Sequence, residues 1–205
     1  MIRNTYSVRR RAVAVCVGSA VVAGLLPSCA PESPSFNSVD ITGANYARDF
    51  PLTDHLGQIR SIKDFPRKIV AVFFGAVKCP DVCPATLSEL VETKKLLGSD
   101  GEKLQVIFIT VDPQRDKAEV LKAYMASFDP TFLALLPTAD QLAAITRDFK
   151  VFDKKVDGTG PGRNTMDHGE GTYLYDTKGR IRLFSRHGAG PQAVAEDVKA
   201  LLKGR

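Results

Sequence analysis

The sequence of 205 residues predicts an α/β domain in which helices flank a mixed sheet. A short, continuous apolar run at 69–74 is typical of a central, buried strand, and 104–111 reads as a second buried strand. Each run is followed by a segment with apolar residues at helical spacing. A hairpin around Asp176-Thr177-Lys178-Gly179 and an amphipathic helix then end the chain. Strands that alternate with helices and finish in a hairpin indicate both parallel and antiparallel pairing.

The first half of the domain contains a small hairpin, a strand and a helix. Leu52 to Ile59 read as a hairpin with Gly57 in its turn. The run Ile69 to Phe74 is β-branched and aromatic, as a buried strand requires. From Pro84 to Leu97 apolar residues recur at helical spacing, and Gly98 ends the predicted helix. The hairpin is therefore an N-terminal extension of the alternating pattern.

The second half repeats this pattern. Leu104 to Val111 form the second buried strand, and Asp116 is the predicted N-cap of a helix that runs to Phe128. Residues 157–170 are rich in glycine and polar side chains, which predicts a loop. We expect the remaining elements to be strands at 132–136, 151–156, 172–175 and 180–184, and helices at 140–149 and 191–202.

The N-terminal residues resemble an export signal. Four arginines precede an apolar stretch from Ala12 to Leu26, which is shorter than the about 20 residues of a comfortable membrane span. Leu26-Pro27-Ser28-Cys29 resembles a bacterial lipoprotein cleavage site, with Pro27 in place of the usual small residue. We expect a signal peptide over 1–28, a lipid on Cys29, a flexible tether over 29–46 and one domain over 47–205. An uncleaved helix is the alternative anchor.

The charge balance does not favour nucleic acid as a partner. The sequence has 28 Lys and Arg against 23 Asp and Glu, and removing the four arginines of the predicted signal leaves 24 against 23. Tryptophan is absent, and basic residues alternate with acidic ones instead of forming a stripe.

Two cysteines directly after the first buried strand are the strongest indication of function. Cys79 and Cys83 are four residues apart at a predicted helix start, so their Cβ atoms would lie roughly 5 to 6 Å apart on one face. Both sulfurs can then bind one metal ion or form a disulfide with each other. Zinc would need two further Cys or His ligands at its own spacing, whereas soft thiolates with few other ligands favour Cu(I). Two incidental core cysteines are the structural alternative.

Three histidines are candidates for a further ligand. His55 lies in the predicted N-terminal hairpin and His187 follows the last strand, so we expect both at the solvated surface. His168 lies in the polar loop before the strand at 172, near the sheet edge where ligands of α/β folds gather. On this pattern alone, His168 is either a ligand or an ordinary loop residue.

Four charged residues near the same edge have weaker indications. Asp112 either orients a ligand or partner, or belongs to an Asp-Pro turn. Asp81 either caps the helix that carries the cysteines or forms part of a docking surface, and we expect the cap. Arg115 and Asp116 are expected to be a surface pair and a cap.

Three motifs in order resemble the Sco/SenC family of copper-binding assembly factors for cytochrome c oxidase. They are Phe74-Gly75 with the Cys79 to Cys83 motif, then Thr110 to Asp116, and then Asp167-His168, in a match over about residues 45–203. The resemblance implies a thioredoxin-like fold and a membrane-anchored domain that faces the periplasm of a bacterial cell envelope. It also implies Cu(I) or Cu(II) bound by Cys79, Cys83 and His168.

The resemblance implies a copper metallochaperone as the function. Its partner would be the dinuclear CuA centre of oxidase subunit II, with other periplasmic copper carriers and thiol reductants as further partners. The main alternative is a thiol-disulfide oxidoreductase, in which one cysteine attacks a partner disulfide and the other resolves it. A peroxidase is a third and weaker alternative, because no Thr-x-x-Cys pattern surrounds Cys79. His168 favours the chaperone, as does the entry into the next strand through Gly171-Thr172, where thioredoxin-type reductases carry a cis-proline.

Two stretches depart from the family pattern. Ala76-Val77-Lys78 stands where Tyr-Thr and a variable residue are usual, and Gly169-Glu170-Gly171 follows His168 where a hydroxyl and apolar residues are common. Lys78 adds a cation beside the first cysteine. This cation can offset the net negative charge of two thiolates and a neutral imidazole around Cu(I).

Overall fold

The structure is a computed structural model that describes residues 35–151, 154–155, 166–167 and 171–205. The helices are α1 (Val82–Leu97), α2 (Ala118–Ala126), α3 (Ala139–Asp148) and α4 (Pro191–Leu202). The strands are β1 (Val39–Asp40), β2 (Leu52–Asp54), β3 (Ile59–Arg60), β4 (Ile69–Gly75), β5 (Leu104–Thr110), β6 (Leu133–Leu136), β7 (Lys154–Lys155), β8 (Met166–Asp167), β9 (Gly171–Tyr175) and β10 (Ile181–Arg186).

Eight of the strands form one mixed sheet in the spatial order β1-β10-β9-β4-β5-β6-β2-β3. The central strands β4, β5 and β6 are parallel, and the remaining pairs are antiparallel. Strands β7 and β8 pair only with each other. The predicted thioredoxin-like mixed sheet with an N-terminal hairpin extension is therefore confirmed.

The two longest strands are buried on both faces, which explains their largely apolar sequences. Every residue of β4 and β5 is buried. Ile69, Ala71 and Phe73 pack with α1, α2 and α4 on one face, while alternate residues of β4 pack with α3 and the N-terminal segment on the other. Apolar surface is thus removed from water on both sides of the sheet. Among the described helices, none is both long and apolar enough to span a membrane.

The last part of the predicted tether belongs to the folded domain. The backbone N–H groups of Asn37 and Ser38 donate to the Asp197 carboxylate at 2.8 and 2.9 Å. The next two residues form β1, which pairs with β10 at the sheet edge. The partners of these residues, Asp197 and β10, lie near the C terminus. The polar composition of the tether sequence therefore did not indicate this pairing.

Helix α2 begins later than predicted. Its N-cap is Lys117, which makes no side-chain cap hydrogen bond, and the helix ends at Ala126. The prediction that Asp116 caps this helix is wrong, because the Asp116 side chain is only 2% exposed and bonds to the neighbouring β4–α1 loop. Of the strand predicted at 151–156, the structure describes only β7.

The N-terminal hairpin is confirmed, but His55 within it is not a simple surface residue. Gly57 has a φ of 82°, as the tight turn requires. His55 is half-buried, its Nδ1 accepts a hydrogen bond from the Ala134 N–H at 3.0 Å, and its own N–H donates to the Ala134 carbonyl. His55 therefore joins the hairpin to β6. Burial lowers its pKa, the Lys122 charge acts in the same direction, and the Asp54 charge opposes them.

The lowered pKa of His55 predicts a loss of stability in mild acid. As pH falls below about 6.5, His55 becomes protonated in the unfolded chain but stays neutral in the folded protein. The unfolding free energy therefore decreases until the pH falls below the pKa of His55 in the folded protein. Urea unfolding of the protein at about pH 7.5 and 5.5 measures this loss. His55→Asn, which keeps an acceptor without titrating, should reduce the loss. His187→Asn, which replaces an exposed histidine, should not reduce the loss. An equal loss of stability in the unmodified protein and in both variants would contradict the assignment of this pH dependence to His55.

Candidate metal centre

The two cysteines lie where β4 ends and α1 begins, at the carboxyl end of the parallel strands. Cys79 is in the turn before the helix and is half-buried, whereas Cys83 is in the first turn of α1 and is only 1% exposed. Both are free thiols. The sequence spacing correctly predicted that the two cysteines lie close together at the start of a helix, but only Cys83 is part of that helix.

The sulfur of Cys79 takes the place of a helix cap. The Cys83 N–H donates to Cys79 Sγ at 3.4 Å. Asp81 occupies the N-cap position, but its exposed side chain makes no cap hydrogen bond, so the prediction that Asp81 caps α1 is wrong. A negative charge on the Cys79 sulfur would therefore be stabilised by the Cys83 N–H group, which has no partner within the helix, and by the positive end of the helix dipole.

The absence of a side chain at position 75 makes room for the buried sulfur. A Cβ placed on Gly75 would lie 2.6 Å from Cys83 Sγ and 2.6 Å from Cε2 of Phe108. Real Cβ atoms do not approach other atoms so closely. Strand β4 can therefore end directly beneath the first turn of α1 only because residue 75 is glycine.

Burial changes the acidity of the Cys83 thiol. Desolvation raises the pKa of Cys83, and the hydrogen bond with Cys79 and the charge of Asp116 act in the same direction. A hydrogen bond from the Ala76 backbone acts in the opposite direction. Cys83 is therefore a neutral thiol at neutral pH until a bound cation replaces its proton.

Asp116 holds the loop that leads to Cys79. Its Oδ2 accepts hydrogen bonds from the Val77 N–H at 3.1 Å and from the Thr110 hydroxyl at 2.6 Å. Thr110 Oγ1 in turn accepts from the Asp112 N–H at 3.0 Å. One buried carboxylate oxygen thus connects the β4–α1 loop to the end of β5. Sequence reasoning missed this role because Val77 and Asp116 are 39 residues apart.

The other charged residues at this edge are more exposed. Asp112 forms an ion pair with Arg115, with 2.8 Å between its Oδ2 and Arg115 Nε. Arg115 therefore belongs to a surface ion pair, as predicted, and its partner is Asp112. Lys78 is exposed beside Cys79. His187 is exposed as predicted, and its Nδ1 lies 3.1 Å from Thr86 Oγ1, on the helix that carries Cys83.

Two predicted site residues, His168 and Cys29, lie outside the described residues. Within the described residues, no group of three or more His, Cys, Asp or Glu side chains comes together as a metal site. The described part of the site is thus a dithiol. Its two sulfur donors suit a soft cation such as Cu(I), and a vicinal dithiol can also exchange with a partner disulfide.

Removal of the Asp116 carboxylate should loosen the loop that carries Cys79. Asp116→Ala leaves two donors without their acceptor, and we expect it to lower the unfolding free energy by about 2 kcal/mol or more. Asp116→Asn keeps an acceptor oxygen and should lose less. Denaturant unfolding and the rate at which a thiol reagent modifies Cys79 measure the two effects.

A remote, partly buried carboxylate provides the control for this prediction. Asp129 pairs with Lys94 at 2.7 Å, and both side chains are less than one fifth exposed. Asp129→Ala should destabilise the fold without changing the reactivity of Cys79. If Asp116→Ala retains both the stability and the thiol reactivity of the unmodified protein, the positioning role is wrong.

Comparison with known proteins identifies the family. The protein-family model described as SCO1/SenC matches residues 39–203 of this chain. A SCO2-like protein of Rickettsia felis is 32% identical over 190 residues, which are 91% of this chain and 93% of its own. The structure of Bradyrhizobium japonicum ScoI with copper bound is 37% identical and has a TM-score of 0.65, covering 75% of this chain and 97% of its own. Apo Sco1 of Thermus thermophilus is 33% identical with a TM-score of 0.70, covering 82% and 97%. The chain therefore belongs to the SCO1/SenC family.

Proposed function

We propose that the protein is a copper metallochaperone that binds one copper ion through Cys79, Cys83 and His168. Its cargo would be delivered to the CuA centre of cytochrome c oxidase subunit II. The observation that carries the proposal is the pair of free thiols at the β4–α1 junction in a member of the SCO1/SenC family. The copper-bound structure of Bradyrhizobium ScoI, a relative with 37% identity, supports the choice of metal.

The unequal burial of the two sulfurs suits a cargo site. Cys83 is only 1% exposed and lies against Gly75 at the end of β4, so it would be the fixed ligand. Cys79 is half-buried in the turn and would be the ligand that a partner can reach first. Copper could then pass to partner thiolates by exchange of one ligand at a time. His168, which precedes β9 in the sequence, would complete the site.

The same dithiol supports the alternative of a thiol-disulfide oxidoreductase, so an experiment must separate the two functions. Disulfide exchange needs two sulfurs and no imidazole. A three-coordinate copper site needs a donor outside the dithiol, and His168 is the donor we propose. The role of His168 therefore distinguishes the chaperone from the reductase.

Substitution of His168 should weaken copper binding without disabling the dithiol. We expect His168→Ala to reduce Cu(I) affinity at least about tenfold, because even outer-shell partners of a metal contribute roughly 10- to 100-fold. The Cys79–Cys83 disulfide potential should change little. His187→Ala is the matched control, since His187 is exposed near the same edge, and it should bind copper normally. Competition with a Cu(I) chelator measures the affinity, and normal affinity in His168→Ala would remove His168 from the site.

We further propose that a lipid on Cys29 anchors the protein to the bacterial cell envelope, with the domain facing the periplasm. This part rests on the basic and apolar N-terminal sequence and on its lipobox-like end. Cys29→Ser should accumulate as an unprocessed precursor. Mass spectrometry of the protein isolated from membranes should show a diacylglycerol-modified N terminus at residue 29. An intact N-terminal segment in the mature protein would instead indicate a helix anchor.

A further inference from the structure

Tyr124 on α2 is a neighbour of the thiol pair that the predicted metal site does not use. Its ring packs edge-to-face against Phe108, with 6.2 Å between ring centroids. Phe108 is also the ring that, together with Cys83 Sγ, fills the space beside Gly75. Tyr124 therefore packs against a ring that borders the same space beside Gly75 as Cys83 Sγ, on the face of the sheet that α1 and α2 cover.

The hydroxyl of Tyr124 is buried without a hydrogen-bond partner within the described part of the chain. The two other buried tyrosines differ from it: Tyr173 donates to the Phe149 carbonyl, and Tyr175 donates to the Ala47 carbonyl at 2.6 Å. A buried, unpaired hydroxyl destabilises a fold by about 1–3 kcal/mol. Such a group calls for a functional explanation.

The electrostatic surroundings keep this hydroxyl in its donor form. Burial raises the pKa of Tyr124, and any negative charge on Cys83, Cys79 or Asp116 acts in the same direction. An acceptor that becomes negative nearby would therefore meet an intact O–H group. Asp116 already uses Oδ2 for Val77 and Thr110. The sulfur of Cys83 borders the space beside Gly75 together with the Phe108 ring, and it would lose its proton when a metal binds, so it is an acceptor that changes charge.

We propose that the Tyr124 hydroxyl donates a hydrogen bond to the sulfur of Cys83 when copper binds that sulfur as a thiolate. This inference rests on the proposed copper binding. The hydroxyl would be unpaired in the metal-free dithiol and paired in the copper complex. Tyr124 would thus favour the loaded state and withdraw electron density from the ligand sulfur, as hydrogen bonds to copper-bound cysteine do.

Tyr124→Phe tests the proposal because it removes only the hydroxyl. The reduced, metal-free variant should unfold at the same or a higher temperature, because an unpaired buried group has been removed. Its Cu(I) affinity should fall about tenfold, the effect of losing a hydrogen bond to a charged group. The sulfur-to-copper charge-transfer band of the Cu(II) form should move to longer wavelength. The measurements are thermal unfolding, chelator competition and absorption spectroscopy on the same preparations.

Tyr173→Phe is the matched control. Tyr173 donates its hydroxyl to a backbone carbonyl on the opposite face of the sheet, so its loss should lower the unfolding temperature and leave copper binding unchanged. Opposite signs of the two effects in the two variants distinguish a ligand-directed hydroxyl from a structural one.

Two outcomes would overturn the inference about Tyr124. If Tyr124→Phe destabilises the metal-free protein and binds copper normally, the hydroxyl has a structural partner. If the variant is stable and its affinity and absorption band are unchanged, the hydroxyl does not reach the sulfur. In both cases copper binding by the unmodified protein would leave the proposed function intact, whereas failure of the unmodified protein to bind copper would overturn both proposals.

Discussion

The close packing of Cys83 Sγ against Gly75 is the contact on which the rest of the site depends. Because residue 75 has no side chain, α1 begins directly over the end of β4, and its first turn encloses one sulfur. The other sulfur stays half-buried in the preceding turn and accepts the Cys83 N–H. The same packing thus creates a dithiol with one enclosed and one accessible sulfur, which is the asymmetry a cargo site needs.

Buried polar groups on one side of the dithiol determine how firmly it is held. Asp116 connects the loop before Cys79 to the end of β5 through Thr110 and Val77. It also adds negative charge near Cys83, which disfavours a thiolate without a bound cation. In the metal-free site the two cysteines are therefore held in place, but the electrostatic surroundings disfavour the thiolate form of Cys83. Binding of a soft cation relieves this repulsion, and Tyr124 would add to that difference.

Local patterns in the sequence predicted the elements whose causes are local. The apolar runs of β4 and β5, the glycine turn of the hairpin and the spacing of the two cysteines all correspond to the structure. Predictions failed where the decisive partner is distant in sequence. Asn37 bonds to Asp197, 160 residues away, which places residues of the expected tether in the domain. Asp116 and His55 likewise bond to residues 39 and 79 positions away instead of capping a helix or facing solvent.

X-ray absorption spectroscopy of the reduced, Cu(I)-loaded protein tests the central claim most directly, because it counts the ligands around the metal. The account predicts one copper per chain with two sulfur ligands and one nitrogen or oxygen ligand in a three-coordinate site. Cys83→Ser should lose one of the two sulfurs from the spectrum. Copper without sulfur ligands, or a complex that forms only between two chains with four sulfurs, would contradict the account.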